Sequence, residues 1–336
     1  MRISLICPVY DTPPTLLRAA TASVLGAAPA PAEGGAAAGI VQLVLVDDAS
    51  RSEATREVLQ QLAAEDRRVL VLRSPRNRGP ASARNLGLQA AIGDWVGFLD
   101  ADDLWLPGHL QRLGAVAAAN PDAAWIGAGH CLLQPDGECT PAQGLPAVWG
   151  TPLAPGLRRH AGPALTRLLL ANFWMHLGAM VVRRSVLQQA GGFAEGLSYG
   201  EDIHLMARLS VLAPLHYLEE QGYAWRRGRP SLTSSAARLR FDSLRVHRVA
   251  AQDPLLRGFA REHRWARYKA TKGLALNNLL AERRGAALHA ALRAWLVDPR
   301  ELGDLSHFLR LWFGGTEGRD LQRYSQAEQF TVRSAS

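Results

Sequence analysis

Trp95-Val96-Gly97-Phe98-Leu99-Asp100-Ala101-Asp102-Asp103 runs from five apolar residues straight into a group of carboxylates. A run this short and this apolar, closed by acids, reads as a strand covered on both faces. Val41-Gln42-Leu43-Val44-Leu45-Val46 repeats the pattern and ends in Asp47-Asp48. Ligands bind outside the carboxyl ends of the strands in an open parallel sheet, so two such strands put both acid groups at one candidate site. A single acid there could equally be a turn or helix-cap residue, and Asp47-Asp48-Ala49-Ser50 ahead of a helix resembles a cap.

Working outward, Ile3 to Cys7 is a strand stopped by Pro8, and Val69 to Leu72 is another. Helices are expected over Leu16 to Leu25, Glu53 to Glu65 and Ala81 to Ala91. This alternation predicts an α/β fold with a mostly parallel, doubly wound sheet. The Ala, Gly and Pro stretch from Gly26 to Gly39 lacks side chains that could bury area and reads as a loop. Beyond Asp103 come a helix from Pro107 to Ala119, an apolar stretch from Ala123 to Leu133, and a Pro- and Gly-rich segment, Cys139 to Gly156, that reads as an extended loop. A helix at Ala164 to Leu170, a strand at Gly178 to Val182 and a helix at Ser185 to Ala190 lead to Gly191-Gly192. Glu201-Asp202 then heads a helix over Ile203 to Val211. From about residue 236 the pattern is helical alone. Leu288, Ala291, Leu292, Trp295 and Leu296 form one apolar face, and Leu305, Phe308, Leu309, Trp312 and Phe313 another.

Over 336 residues, 48% apolar and 20% charged content excludes disorder and fibre. Three cysteines, Cys7, Cys131 and Cys139, are too few for a disulfide framework and lack the neighbours of a zinc site, which points to a reducing compartment. Pro8 arrives before a secretory apolar stretch develops, and the strongest uncharged apolar run, Leu168 to Val182, falls short of the roughly 20 residues a membrane span needs. A cytoplasmic protein is expected. The formal charge of +8 is unevenly placed: residues 1–235 carry 20 Lys+Arg against 20 Asp+Glu, and residues 236–336 carry 18 against 10. Such a basic region suits an anionic partner, either a membrane surface or a lipid-linked phosphate, although a solvated helix face is the simpler account. Nucleic acid is not expected.

Asp100-Ala101-Asp102 is suited to holding one hard divalent cation, magnesium or manganese, through one or both carboxylates. The open positions of such an ion are commonly filled by phosphate oxygens, so a diphosphate is the expected partner.

Five motifs then stand in the order typical of family 2 glycosyltransferases. They are Pro8-Val9-Tyr10, Val46-Asp47-Asp48-Ala49-Ser50, Asn77-Arg78-Gly79-Pro80-Ala81-Ser82-Ala83-Arg84-Asn85, Phe98-Leu99-Asp100-Ala101-Asp102-Asp103, and Gly191-Gly192-Phe193 with Gly200-Glu201-Asp202. The chain resembles that family over residues 1–235. The resemblance implies the GT-A fold, with a nucleotide-binding half over 1–105 and an acceptor-binding half over 106–235, and leaves a helical C-terminal region, 236–336, outside it. It also implies that Pro8, Tyr10 and Asp48, with Asp47 beside them, line the pocket for the nucleotide base and that Arg84 lies close to the nucleotide. Asp100 would sit near the ribose, Asp102 on the metal that bridges the diphosphate, and Asp202 would be the general base.

The chemistry implied is transfer from a uridine- or guanosine-diphosphate sugar to a hydroxyl of a glycan, glycolipid or polysaccharide precursor, with inversion. A carboxylate takes the acceptor proton on one side, and the metal holds the leaving diphosphate on the other. Glu201 either orients the acceptor or supports its turn. Trp105 either stacks on a sugar ring or fills the core, and His176 reads as structural. Relatives often carry a Tyr-Arg-x-His-like segment after the catalytic helix; here the chain reads Tyr223-Ala224-Trp225-Arg226-Arg227-Gly228-Arg229-Pro230-Ser231, with no histidine. Arg226 and Arg229 are the candidates to meet phosphate there. Two other readings are an inactive sugar-nucleotide-binding scaffold and a nucleotidyltransferase. Intact acids oppose the first, and the absence of a Gly-rich, Lys-containing segment after the first strand opposes the second.

Overall fold

A computed structural model describes residues 1–26, 38–142, 150–170, 175–197, 199–228, 236–299 and 302–314. The chain divides into two compact units, one of residues 1–166 with 173–230, the other of 167–172 with 231–336.

The first unit is organised by strand β1 (Arg2–Val9), which pairs in parallel with β2 (Gly39–Asp47) on one side and β4 (Trp95–Phe98) on the other; β3 (Val69–Arg73) extends the sheet beyond β2. Val9 lies opposite Asp47 and Ile6 opposite Phe98, so the acids after β2 and β4 leave the sheet at the same edge. Helices α1 (Pro14–Leu25), α2 (Glu53–Glu65) and α3 (Pro80–Ala90) make the crossovers. The strands are buried to the degree their composition demands: Ile3, Leu5, Ile6, Leu43, Leu45, Val96 and Phe98 are fully buried. Each such side chain contributes about 1.5–3 kcal/mol relative to exposure.

After β5 (Leu104–Trp105) and α4 (His109–Ala119) the sheet turns mixed. The strand β10 (Met180–Arg183) runs antiparallel between β4 and β6 (Trp125–Leu133), and β11 (Leu215–Arg226) runs parallel to β6 and antiparallel to β5. β7 (Cys139–Pro141) pairs with β6, while β8 (Thr151–Ala154) and β9 (Leu157–His160) complete the far edge. The fold is α/β as expected, parallel in its first four strands and mixed as a whole. The remaining helices of this unit are α5 (Gly162–Leu170), which belongs to it as far as Thr166, α6 (Arg184–Ala190) and α7 (Glu201–Leu212).

Three expectations need correction. The extended loop over 139–156 contains β7 and β8, whose residues are all exposed and so give no apolar signal. The twelve-residue β11 is hidden in the sequence because Glu219-Glu220-Gln221-Gly222 interrupts its apolar run; register shifts between Leu218, Gln221 and Tyr223 absorb that polar insert. Cys131 and Cys139 form a disulfide, made possible by the antiparallel β6–β7 pairing, so this pair does not fit the reading of free thiols; Cys7 is the free, buried cysteine. The Gly26 to Gly39 loop falls mostly outside the described residues.

The second unit is helical: α8 (Ala236–Gln252), α9 (Ala260–Leu280), α10 (Arg284–Val297) and α11 (Leu302–Gly314). Leu274, Ala275, Leu279, Ala287, Ala290, Ala291, Phe308 and Leu311 make its core. Asp304 of α11 accepts from Lys272 and Tyr268 of α9. α10 departs from the expected face: Ala287, Ala290, Ala291 and Ala294 turn inward, and Leu292 and Leu296 point outward. No helix among the described residues is long and apolar enough to cross a membrane.

Candidate active site

The site is assembled around one arginine. Gly79 starts α3 with φ at 85°, a backbone conformation that glycine takes without penalty, and Pro80 fills the first helical position, where its missing N–H is no loss. One turn on, the buried Arg84 points across the sheet edge. Its Nη2 donates to Asp100 Oδ1 at 2.8 Å and its Nη1 donates to Glu201 Oε1 at 2.6 Å. A single guanidinium therefore joins the acids after β4 to the first turn of α7, whose Glu201 lies 117 residues from Arg84 in the chain.

The same first turn carries Asp202, which is half-buried and accepts from the Ile203 N–H at 2.8 Å. Loss of solvation, together with the adjacent Glu201 charge, pushes its carboxyl up to about 7, against the lowering pull of Arg84. Asp100 moves the other way: burial raises it, yet Arg84 and His176 leave its carboxyl below the usual range. Asp100, bonded to Arg84, and Asp202, beside the other partner of that arginine, are thus shifted in opposite directions, a pattern common where acid–base roles are divided.

The loop that carries α7 into place is fixed from α3. Asn85 Nδ2 donates to the Phe193 carbonyl at 2.9 Å and its Oδ1 accepts the Phe193 N–H at 2.8 Å. Gly192 sits at φ 71°, and a Cβ there would lie 2.7 Å from Asn85 Oδ1, so glycine is required on both counts. The Phe193 ring lies edge-on to Phe98 at 5.2 Å and beneath the Arg84 guanidinium at 5.5 Å.

Asp103 is the residue for which sequence reasoning assigned no role. It is buried, and its two oxygens accept from the Tyr223 hydroxyl at 2.8 Å and the Arg226 N–H at 2.7 Å. The Tyr223 hydroxyl in turn accepts the Asp100 N–H at 3.3 Å, and Arg226 Nε donates to the Asp102 carbonyl at 2.8 Å. Asp103 therefore pins β11 to the acidic turn. The signal available in the sequence was a third acid beside Asp-x-Asp; its partner lies 120 residues away.

Asp100, Asp103 and His176 bring one potential ligand atom each within 4.8 Å of one another. The histidine is not set up as a ligand. Its Nδ1 accepts the Gly178 N–H at 3.1 Å, which leaves the proton of the neutral ring on Nε2, facing Asp103 at 3.9 Å. Burial holds its pKa down at about 3, so the ring is neutral. Its face stacks on Tyr223, centroids 4.3 Å apart, in keeping with the structural role expected of it. Of the expected metal pair, Asp100 belongs to this group, whose second carboxylate is Asp103 and not Asp102.

The acids after β2 serve the backbone. Asp47 is buried, accepts the Ser50 N–H at 2.8 Å and pairs with Arg73. Asp48, also buried, accepts N–H groups from Arg78 and from Gly79, the latter at 2.7 Å, and so holds the turn that launches α3. The cap of α2 is Ser52, not the acids before it. Tyr10 is 42% exposed at the end of β1, next to half-buried Pro8. Trp105 fills the core, 3% exposed, with its indole N–H on the Gly178 carbonyl at 2.9 Å, which removes it from any sugar-stacking role. Arg229 lies outside the described residues.

The glycosyl transferase family 2 profile matches residues 4–187, more than half of the chain. The chain belongs to that family. Its relatives include the O-antigen biosynthesis protein RfbC of Myxococcus xanthus, 32% identical over 70% of this chain and 17% of that protein. The succinoglycan biosynthesis protein ExoO of Rhizobium meliloti is 29% identical over 79% of this chain and 76% of that protein. The chain spans only 17%, 28% and 22% of three of the curated relatives it matches. Among solved structures, S. aureus TarS residues 1–349 in complex with UDP-GlcNAc superposes with a TM-score of 0.62 at 18% identity, covering 98% of this chain and 88% of that one. This likeness places the family 2 chain in the GT-A fold.

Proposed function

We propose that the protein transfers a sugar, with inversion, from a nucleoside-diphosphate sugar to a hydroxyl of a glycan, glycolipid or polysaccharide precursor. The observation that carries this reading is the Arg84 bridge, which brings the Asp-x-Asp acids and the Glu201-Asp202 turn to one edge of the sheet. Asp202 is the general base. Its carboxyl at about 7 is matched to removing a hydroxyl proton near neutral pH, where base strength and the ionised fraction are both usable. Glu201, committed to Arg84, positions that base instead of meeting the acceptor.

Pro8, Tyr10, Asp47 and Asp48 shape the wall on which the nucleotide base rests, Asp47 and Asp48 by fixing the backbone and Tyr10 by its exposed ring. Asp100 faces the ribose, and Asp102, with Asp100, would hold magnesium or manganese; the ion, when bound, supplies charge to the leaving diphosphate. Arg226, fastened to the Asp102 carbonyl, would meet phosphate, with Arg229 of the same sequence segment as the second candidate. TarS, which shares the fold, was crystallised in complex with UDP-GlcNAc, and this favours uridine over guanosine as the donor base. The relatives named for O-antigen and succinoglycan biosynthesis favour a surface polysaccharide precursor as acceptor. We place the reaction in the cytoplasm at the inner face of the membrane, with the basic residues 236–336 toward the lipid.

The test is a thermal-shift screen of nucleoside diphosphates. A ligand that binds the folded state raises its melting temperature. Uridine diphosphate should do so with manganese and much less with chelator, and Asp102→Asn should abolish the difference. A shift indifferent to manganese in the wild type would remove the metal from the mechanism.

A further inference from the structure

Cys131 and Cys139 lie on neighbouring antiparallel strands, 8 residues apart in the chain and with Cα atoms 5.6 Å apart. That spacing is one a disulfide bridges without moving the backbone. The two cysteines stand in different surroundings. Cys131 is 2% exposed on β6, whereas Cys139 and the other two residues of β7 are exposed. One end of the bond is therefore open to a dissolved thiolate, and the other is anchored in the core. Exposed disulfides are the ones that exchange readily, and in a reducing compartment a disulfide is a transient or sensing element in place of a permanent staple.

The hairpin turn closes by hydrogen bonds of its own. The Gln134 N–H donates to the Glu138 carbonyl at 2.8 Å, the Gly137 N–H donates to the Gln134 carbonyl at 3.0 Å, and Asp136 accepts the Glu138 N–H at 2.9 Å. A loop this short also gains less from a cross-link than a long one. What the bond adds is a hold on β7 itself, a three-residue strand with no buried side chain. Just past β7 the Ala142 N–H donates to the His130 carbonyl at 2.9 Å. The His130 ring lies 5.6 Å from His176, which stacks on Tyr223. The bond thus fastens β7 to the strand that carries His130.

We propose that Cys131 and Cys139 are a reversible redox clasp that exchanges with glutathione and sets how firmly β7 is held on β6. On closing, the Cys139 thiolate attacks one sulfur of glutathione disulfide, and one glutathione leaves as its thiolate. Cys131 then gives up its proton and attacks the Cys139 sulfur of the mixed disulfide, and the second glutathione leaves. Two protein thiols and one glutathione disulfide thus give one protein disulfide and two glutathione thiols, with two electrons passing to glutathione. On opening, glutathione attacks Cys139, the end of the bond on the exposed strand. The buried Cys7 takes no part. The clasp rests on the proposed function only for its compartment, the cytoplasm that supplies glutathione, and it shares no residue with the transfer site.

Equilibration of the full chain with glutathione, followed by alkylation and mass spectrometry, tests it. Between reduced glutathione in about a thousandfold excess and equal amounts of its two forms, the pair should pass from mostly dithiol to mostly disulfide, with the same curve reached from either end. Over that passage the Ala142 amide should slow in hydrogen exchange by at least about tenfold, while the amides of β1 and β4 stay unchanged. Cys139→Ser should keep Ala142 at the fast rate at every ratio. A disulfide that persists at the reducing extreme overturns the proposal, because the bond is then a permanent staple. A dithiol that persists at equal amounts overturns it as well, and so does a titration that leaves Ala142 unmoved. The uridine-diphosphate melting shift with manganese, read at both ends of the titration, reports on the transfer site separately: its absence at both ends counts against the proposed function and leaves the clasp standing.

Discussion

Two acid groups leave the same edge of one sheet, and the protein uses them in opposite ways. Asp47 and Asp48 are buried and spent on backbone N–H groups and on Arg73. Asp100 keeps a third of its side chain exposed and shares Arg84 with the turn that carries Asp202. Only the partners differ. An acid saturated by its own loop builds a wall, and one left partly in solvent beside a fixed cation is available to a ligand.

The sharpest way to break this contrast is at Arg84. Arg84→Ala leaves Asp100 and Glu201 without their common cation and should cost about 3–5 kcal/mol of stability, read from denaturant unfolding. A loss under about 1 kcal/mol, the range of an exposed ion pair, would mean that the bridge does not join the two halves of the site. Asp202→Asn should reduce kcat by at least about a hundredfold yet keep the uridine-diphosphate melting shift. Full turnover in this variant would remove Asp202 from the reaction.

In the wild type, kcat/KM should rise as pH climbs through about 7, because the base must be ionised. The sign for stability is opposite. A carboxyl whose folded pKa is raised above its unfolded value near 4 binds more protons when folded, so this group makes stability fall as pH rises from about 4 to about 7. Asp202→Asn should therefore flatten the pH dependence of melting over that window.

Asp48→Ala tests the other group. Loss of the acceptor for the Arg78 and Gly79 N–H groups should cost about 1–3 kcal/mol and raise the donor KM more than it lowers kcat. Asp103→Asn should have the smallest effect, since the amide retains an acceptor for one of its two donors; a rise in the manganese concentration needed for half-activity would reveal its hold on Asp102 and Arg226.

The parallel strands were legible because each is an unbroken apolar run closed by a turn residue. β11 was not, because its polar insert and irregular register mimic a turn, and it is β11 that brings Tyr223 and Arg226 to Asp103. Arg84, Asp100, Glu201 and Asp202 could all be named from motif order. Which acid Arg84 would hold could not be read, since the partners are separated by 16 and 117 residues. Trp105 shows the reverse limit: its place after the acids left a sugar platform and a core residue equally open, and packing alone decided that it fills the core.

The alternation of apolar runs with helical periods, and the residues that end those runs, were determined by the sequence alone, because period and local turn chemistry act over a few residues. The tertiary structure decided which carboxylates serve the backbone and which share a cation, which histidine nitrogen carries its proton, and that α10 turns its alanines inward. Those outcomes depend on desolvation and on hydrogen-bond partners brought together from distant parts of the chain, and neither is written in any single stretch of it.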